Sequence, residues 1–374
     1  MNEMEDVYSR EKVIVRTSVI GIIANVFLAS FKALVGFLSN SIAIILDAVN
    51  NMSDMVSSII TIIGTKLAGK APSKKHPMGY GRIEYLSAML VSAIVLYAGI
   101  MSLIESVKKL ISPAEPEHTS FSFIVMGVAV LVKLVLGTYV KKKGVEVNSG
   151  SLIASGSDAL FDSIISGSVL ICAVIFVITG VNLEAYVGLL ISVIIIKAGV
   201  EMLMDSIDEI IGKRIDLETV TSIKQAVCEE EQVHGAFDLD IHNYGPDTYL
   251  GSIHVEVDDT MSAGEIDGMI RRIQSRVYKK TGIYLESVTI YAVNTQNPEI
   301  IKMKEKVREI VLGHEGANSL HGFYVDMENH IIRFDYVTSF DNANKDELYE
   351  SICQAIKNEY PEYDLIVARD YDIS

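Results

Sequence analysis

The sequence predicts a membrane all-α six-helix bundle followed by a soluble α+β part built as a tandem αββαβ repeat. Three observations predict it. Six apolar stretches of about 20 residues are each long enough to cross a hydrocarbon core roughly 30 Å thick. The charge changes character part-way along the 374 residues: positions 1–205 hold 16 basic and 16 acidic side chains, positions 206–374 hold 16 and 32, so the whole net charge of -16 lies in the second part. Within that second part, helical and strand patterns come twice in the same order.

The apolar stretches cover residues 13–38, 41–65, 83–107, 121–140, 152–179 and 183–204. In lipid the backbone has no water to bond, so such runs must be helices. Residues 1–12, MNEMEDVYSREK, read as a loose N-terminal tail with no small-residue cleavage site, so no removable signal peptide is expected. Cations gather at one side of the predicted membrane: Arg10, Lys12 and Arg16; then Lys66, Lys70, Lys74, Lys75 and Arg82; then Lys141 to Lys143; then Lys213 and Arg214. The opposite loops hold only Lys108 and Lys109, at a span end. The positive-inside rule therefore places both termini in the cytoplasm.

Beyond Gly212 an amphipathic helix (217–230), two strands (236–243 and 249–258), a helix (262–280) and a strand (284–293) are expected. The order restarts at Asn297-Pro298 with a helix (299–313), strands (322–327 and 331–340), a helix (345–360) and a strand (363–370). His234-Gly235 followed by Asp238, and His321-Gly322 followed by Asp326, open the strand part of each half. The expected division is a tail (1–12), a six-span domain (13–212), a first soluble domain (213–296) and a second (297–374). An acidic surface of this kind repels phosphate, which excludes nucleic-acid partners. Cys172, Cys228 and Cys353 are far apart and form no CxxC pair, so neither a disulfide framework nor a thiolate zinc site is supported. No nucleophile with a base, no phosphate loop and no HExxH motif suggests an enzyme.

Chemistry concentrates in two spans. The second reads LDAVNNMSDM, where spacings of three, four and seven residues put Asp47, Asn50 or Asn51, and Asp54 along one helix face. The two asparagines are about 100° apart on a helix, so sequence leaves open which one faces inward. The fifth span reads SGSDALFDSI, with Asp158 and Asp162 one turn apart. Ionised carboxylates in lipid cost several kcal/mol and normally mark an ion pathway inside a bundle; an interhelical hydrogen bond to Ser155, Ser157 or Ser163 is the plainer use of any single one. Asn50, Asp54, Asp158 and Asp162 make an all-oxygen set, which suits Mn²⁺, Mg²⁺ or Ca²⁺, whereas zinc sites normally recruit histidine or cysteine. Three negative charges in low dielectric take up protons when no metal is bound, and an arriving dication must displace them.

On these residues the chain resembles the cation diffusion facilitator family across residues 1 to about 295. The resemblance implies a six-span fold, a cytoplasmic ferredoxin-like domain and a homodimer. The family holds its metal with two ligands in the second span and two in the fifth, four residues apart. Matching SIAIILDAVNNMSD to that pattern puts ligands on Asn50 and Asp54, with Asp47 the preceding acid, and Asp158 and Asp162 match the fifth-span pair. Zinc members usually carry histidine and aspartate in both spans; the set here is similar to the bacterial manganese-efflux branch, as is HPMGYGRIEY at 76–85. A loop metal site of zinc and iron members is missing, because His76 is followed by Tyr80. Their cytoplasmic metal cluster is broken by Phe237, Tyr291 and Val293, though His242 and His254 on neighbouring strands leave a regulatory metal open. The resemblance also makes Arg82 a candidate for a charge interlock between protomers, with Asp208 or Glu209 as its acid.

The expected function is proton-coupled export of a divalent cation, Mn²⁺ being the transported substrate, with no organic cofactor. The partners are then the metal ion, protons, the lipid bilayer and a second copy of the chain, in the plasma membrane of a bacterium. The rivals are a zinc or iron exporter of the same fold, a magnesium- or calcium-permeable channel, and a membrane-tethered sensor. Lys133 is expected to snorkel to an interface, and Lys32 and Lys197 to partner buried acids.

Overall fold

The computed structural model describes residues 2–38, 42–112, 120–179, 181 and 183–371. Among the described residues, six long helices come first: α1 (Asn2–Leu38), α2 (Ile42–Ala68), α3 (Ile83–Ile111), α4 (Ser120–Glu146), α5 (Gly150–Thr179) and α6 (Glu184–Ile211). Segments within α1, α3, α5 and α6 are long and apolar enough to cross a membrane. The outward faces are apolar, with Phe27, Leu34, Tyr97, Leu131, Val135, Ile171 and Leu190 all exposed, while Ser18, Asn25, Lys32, Ser57, Ser58 and Thr61 are buried. A polar inside and an apolar outside is the arrangement expected where hydrocarbon is the solvent. Helix α1 begins at Asn2, so residues 2–12 are helical rather than a loose tail. Hydropathy marks only the lipid-crossing part of a helix, and the Glu, Met, Lys and Arg of this segment favour helix in water as well.

The helices pair α1 with α2, α3 with α6 and α4 with α5. Small residues allow the close approaches, as expected where helices cannot gain from excluding water. A Cβ on Gly137 would lie 2.8 Å from Leu160 Cγ, and one on Gly144 would lie 2.7 Å from the backbone nitrogen of Ile153. Gly156 abuts the Lys141 backbone along the same α4–α5 seam. One compact unit comprises 1–213 together with the loop 243–248, and a second comprises 214–242 with 249–374.

The second unit runs α7 (Leu217–Cys228), β1 (Gly235–Asn243), β2 (Tyr249–Asp258), α8 (Ala263–Thr281), β3 (Tyr284–Val293), α9 (Pro298–Leu312), β4 (Ala317–Asp326), β5 (Ile331–Thr338), α10 (Lys345–Glu359) and β6 (Asp364–Tyr371). Its two three-stranded sheets have orders β1-β2-β3 and β4-β5-β6. β2 pairs parallel with β3, β4 antiparallel with β5, and β5 parallel with β6. Each sheet has its own core. Ile223, Ile253, Met269 and Ile273 fill the first, and Val307, Ile332, Phe334 and Ile352 the second. Helix ends are set locally: Asp216 accepts from the Thr219 amide, Ser262 and Glu265 form a reciprocal capping box, and Asn297 caps α9 with Pro298 following.

Strand β4 begins at Ala317, five residues before the strand expected at Gly322. The register shifts between His321 and Tyr324, and Gly322 takes φ +62°, so the glycine that looked like a strand start is a bulge inside a longer strand. A second left-handed residue sits in β1, where Asp238 has φ +51°.

Candidate functional site

Helices α2, α4 and α5 bring the ionisable residues together. Lys133, at the midpoint of α4, is 4 % exposed. Its ammonium donates to Asp54 Oδ2 of α2 at 2.8 Å and to Asp162 Oδ2 of α5. Asp158, one turn before Asp162, is buried, and Asp54, Asp158, Asp162 and Lys133 line one cavity together with Lys32. Lys133 therefore does not snorkel: from the helix midpoint its stem is too short to reach an interface, and two carboxylates take its charge instead. Lys197 is exposed and pairs with Glu201 on its own helix at 3.6 Å, not with a buried acid.

That cavity, of about 730 Å³, follows the C-terminal half of α3 from Ile94 through Tyr97 and Met101 to Glu105 and Lys108. On the other side of Asp54 and Asp158 the free space is only about 20 Å³, walled by Ser18, Gly21, Asn25, Ser58, Leu136 and Leu152. Among the described residues, the three carboxylates thus open onto the larger space along α3, and only the small space adjoins Asp54 and Asp158 on the α1 side. Elsewhere in the bundle Arg10 gives a bidentate pair to buried Glu84, with Nη2–Oε1 at 2.8 Å and Nη1–Oε2 at 2.9 Å. It also donates to the carbonyls of Val147 and Asn148 in the α4–α5 turn. One guanidinium thereby ties α1, α3 and that turn, and Asp247 of the 243–248 loop accepts from it at 3.2 Å.

Of the remaining sequence candidates, the side chains of Asp47 and Asn50 lie outside the described residues. Asn51 is fully buried and is not among the residues lining either cavity. His242 pairs with Asp240 at 3.3 Å on the exposed face of its strand, whereas His254 turns to Asp238, 3.1 Å away, so these two histidines serve different carboxylates. In the loop before α3, His76 packs on Tyr80 at 4.7 Å between ring centroids. Arg82 donates to the Asn243 carbonyl at 2.7 and 3.0 Å and lies over the Tyr244 ring, while Glu209 accepts from the Asn243 side chain.

Three carboxylates and an ammonium thus meet inside the bundle, an arrangement whose cost in an apolar surrounding is met by the pairing of opposite charges. The family model for the cation efflux transmembrane domain matches residues 18–211. The chain belongs to the cation efflux, or cation diffusion facilitator, family. A second model, the cation efflux protein cytoplasmic domain, matches 215–291, so the second α+β half lies beyond both models. Members of this family are membrane transporters of metal cations, not enzymes. The chain is similar to the manganese efflux system protein MneP of Bacillus subtilis, 23 % identical over 280 residues covering 72 % of this chain and 93 % of that one. It is also similar to the magnetosome protein MamB of Paramagnetospirillum magneticum, 26 % identical over 68 % of this chain and 87 % of that one. Metal tolerance protein C1 of Arabidopsis thaliana is 30 % identical over 68 % of this chain and 57 % of its own length.

Sequence reasoning missed Lys133 as part of the site. The available signal was its position, fourteen residues into a 27-residue helix and so about as far from either helix end as a lysine can be. Nothing local signalled the Arg10–Glu84 pair, which joins residues 74 apart.

Proposed function

We propose that this chain exports a divalent cation, manganese foremost, from the cytoplasm of a bacterium in exchange for protons. Asn50, Asp54, Asp158 and Asp162 are its ligands. In this reading all six long helices span the plasma membrane with both termini cytoplasmic, the soluble part is a tandem of ferredoxin-like domains, and the transporter is a homodimer. The observation that carries the proposal is the convergence of Asp54, Asp158 and Asp162 on one cavity, with a buried ammonium between two of them. Hard oxygen donors favour Mn²⁺ over zinc, and the likeness to a protein named for manganese efflux supports the same choice.

With the cation-rich loops inside, the large cavity along α3 opens outward and the Arg10–Glu84 end is the cytoplasmic one. The conformation then corresponds to a release state, in which Lys133 stands where the metal sat between Asp54 and Asp162. In the opposite state a cytoplasmic dication displaces protons and the lysine together. Rocking of the bundle exposes the site outside, where Lys133 and incoming protons reclaim the carboxylates and expel the metal. The inward proton gradient then drives net export.

Flux into proteoliposomes tests this, with Mn²⁺, Zn²⁺, Mg²⁺ and Ca²⁺ offered with and without a pH gradient. Saturable Mn²⁺ transport that needs the gradient, and that Asp162→Ala abolishes, is expected. Unsaturable flux indifferent to the gradient would instead identify a channel, and normal flux in Asp162→Ala would remove the carboxylate site from the mechanism.

A further inference from the structure

The second compact unit contains a cluster that transport through the helices does not use. Asp238 from β1, His321 from β4 and Asp370 from β6 each offer a donor atom, and the three atoms lie within 4.8 Å of one another. His321 is 1 % exposed. Its Nε2 is 2.8 Å from Asp238 Oδ1 and 3.9 Å from Asp370 Oδ2, yet neither ring nitrogen makes a well-directed hydrogen bond. A buried imidazole without a hydrogen bond costs stability unless something else binds it.

The surroundings fix this imidazole in place. Phe237 stacks on it at 4.8 Å and 13°, and Tyr291 flanks it at 5.9 Å. The Tyr291 hydroxyl donates to Asp238 Oδ2 at 2.8 Å and to Asp335 Oδ2 at 3.1 Å. Burial and those two carboxylates raise the Tyr291 pKa, so the phenol stays a donor. His254 stacks on Tyr291 and brings Nδ1 to 3.1 Å from Asp238. An oriented histidine, a carboxylate held by a phenol and a second carboxylate give a ligand face with its outer hydrogen bonds already made. Asp238 takes a left-handed backbone in β1, with φ +51°, a conformation an aspartate adopts at modest cost. The first α+β half supplies Asp238 and the second supplies His321 and Asp370.

We infer that Asp238, His321 and Asp370 form a binding site for a divalent first-row transition-metal ion, which staples the two α+β halves of the soluble unit together. One imidazole and two carboxylates suit Mn²⁺, Fe²⁺, Co²⁺ or Zn²⁺, and leave positions for water or for His254. The ion bridges sheets β1-β2-β3 and β4-β5-β6, so its arrival and departure stiffen and loosen the junction between them. This site is independent of the ligand set in the helices.

The test uses the full-length chain in detergent with Asp158 and Asp162 both replaced by asparagine, and Co²⁺ as a coloured probe. The expected result is one Co²⁺ per chain with the absorption of a mixed nitrogen and oxygen site, together with a raised melting temperature. Asp370→Asn, a near-isosteric change at a partly exposed position, should weaken that binding at least about tenfold, since even partners that only orient a ligand cost that much when removed. His321→Gln should abolish the coloured band. Absence of Co²⁺ from the parent protein overturns the inference, as does unchanged affinity in a folded Asp370→Asn protein. Mn²⁺ flux through the otherwise unaltered chain is a separate readout, so loss of the transport reading and loss of this site are distinguishable.

Discussion

Replacing Lys133 with methionine keeps the volume of the stem but removes the ammonium that Asp54 and Asp162 share. At an effective dielectric constant of about 20, two unit charges at the 2.8 Å Lys133–Asp54 separation attract by about 6 kcal/mol, and Lys133 pairs with Asp162 as well. A dication entering the site must displace this charge. The freed ammonium recovers much of the loss by moving into the adjoining cavity of about 730 Å³. A net penalty on metal binding of ~1.5–3 kcal/mol remains, or ~10–100-fold in Kd. Lys133→Met should therefore bind Mn²⁺ more tightly by that factor and turn over more slowly, because release is no longer assisted. Titration followed by the electron paramagnetic resonance of free Mn²⁺ gives the Kd near neutral pH, and proteoliposome flux gives the turnover; Lys133→Arg should restore both toward the parent values. Weaker or unchanged Mn²⁺ binding in a folded Lys133→Met protein would refute the reasoning.

Three further outcomes are expected. Asn50→His adds a borderline nitrogen ligand to an oxygen set and should move the flux preference from Mn²⁺ toward Zn²⁺; unaltered selectivity counts against Asn50 as a ligand. Neutralising the Arg10–Glu84 pair as Arg10→Met with Glu84→Gln removes the tie between α1 and α3 without leaving an unpaired buried charge, so the fold should tolerate the change. A cysteine at Ser18, in a background without the native cysteines, should then label with maleimide much faster; equal labelling shows that the tie does not restrict access to that position. Glu230 is buried and accepts from Arg272 at 3.0 Å and Arg276 at 2.5 Å. Burial alone pushes its pKa up, but the two arginines outweigh this and hold it below the ordinary glutamate value. A lowered folded pKa adds stability above the ordinary range, lost as pH falls through the folded value. Glu230→Gln should cost about 2 kcal/mol at neutral pH, with the gap to the parent closing in acid; a melting-temperature difference constant with pH would contradict the assignment.

The parts of the molecule readable from sequence are those whose physics is local. Apolar runs must be helical in lipid, and a carboxylate within such a run is costly enough to announce itself, which is why Asp54, Asp158 and Asp162 stood out. The αββαβ order followed from periodicity and from caps such as Ser262 and Asn297. Lys133 was misplaced because a long flexible stem gives two physical outcomes, surfacing or pairing, and only the neighbouring helices decide between them. The start of β4 was misjudged because Gly322 reads equally as a strand end or a bulge, and pairing with β5 makes the distinction. Arg10 with Glu84, and Asp238 with His321 and Asp370, join residues far apart in the chain, and single-sequence patterns carry no trace of such meetings.

The glycine seam between α4 and α5 bears on which contact yields when the bundle moves. Gly137, Gly144 and Gly156 let the two backbones touch, so in any rocking of the bundle α4 and α5 are expected to move together, carrying Lys133 and Asp162. Asp54 rides on the other pair, α1 with α2. A tilt of one pair against the other would therefore strain the Lys133–Asp54 bond, which joins the two pairs, before the Lys133–Asp162 bond, which lies within one of them.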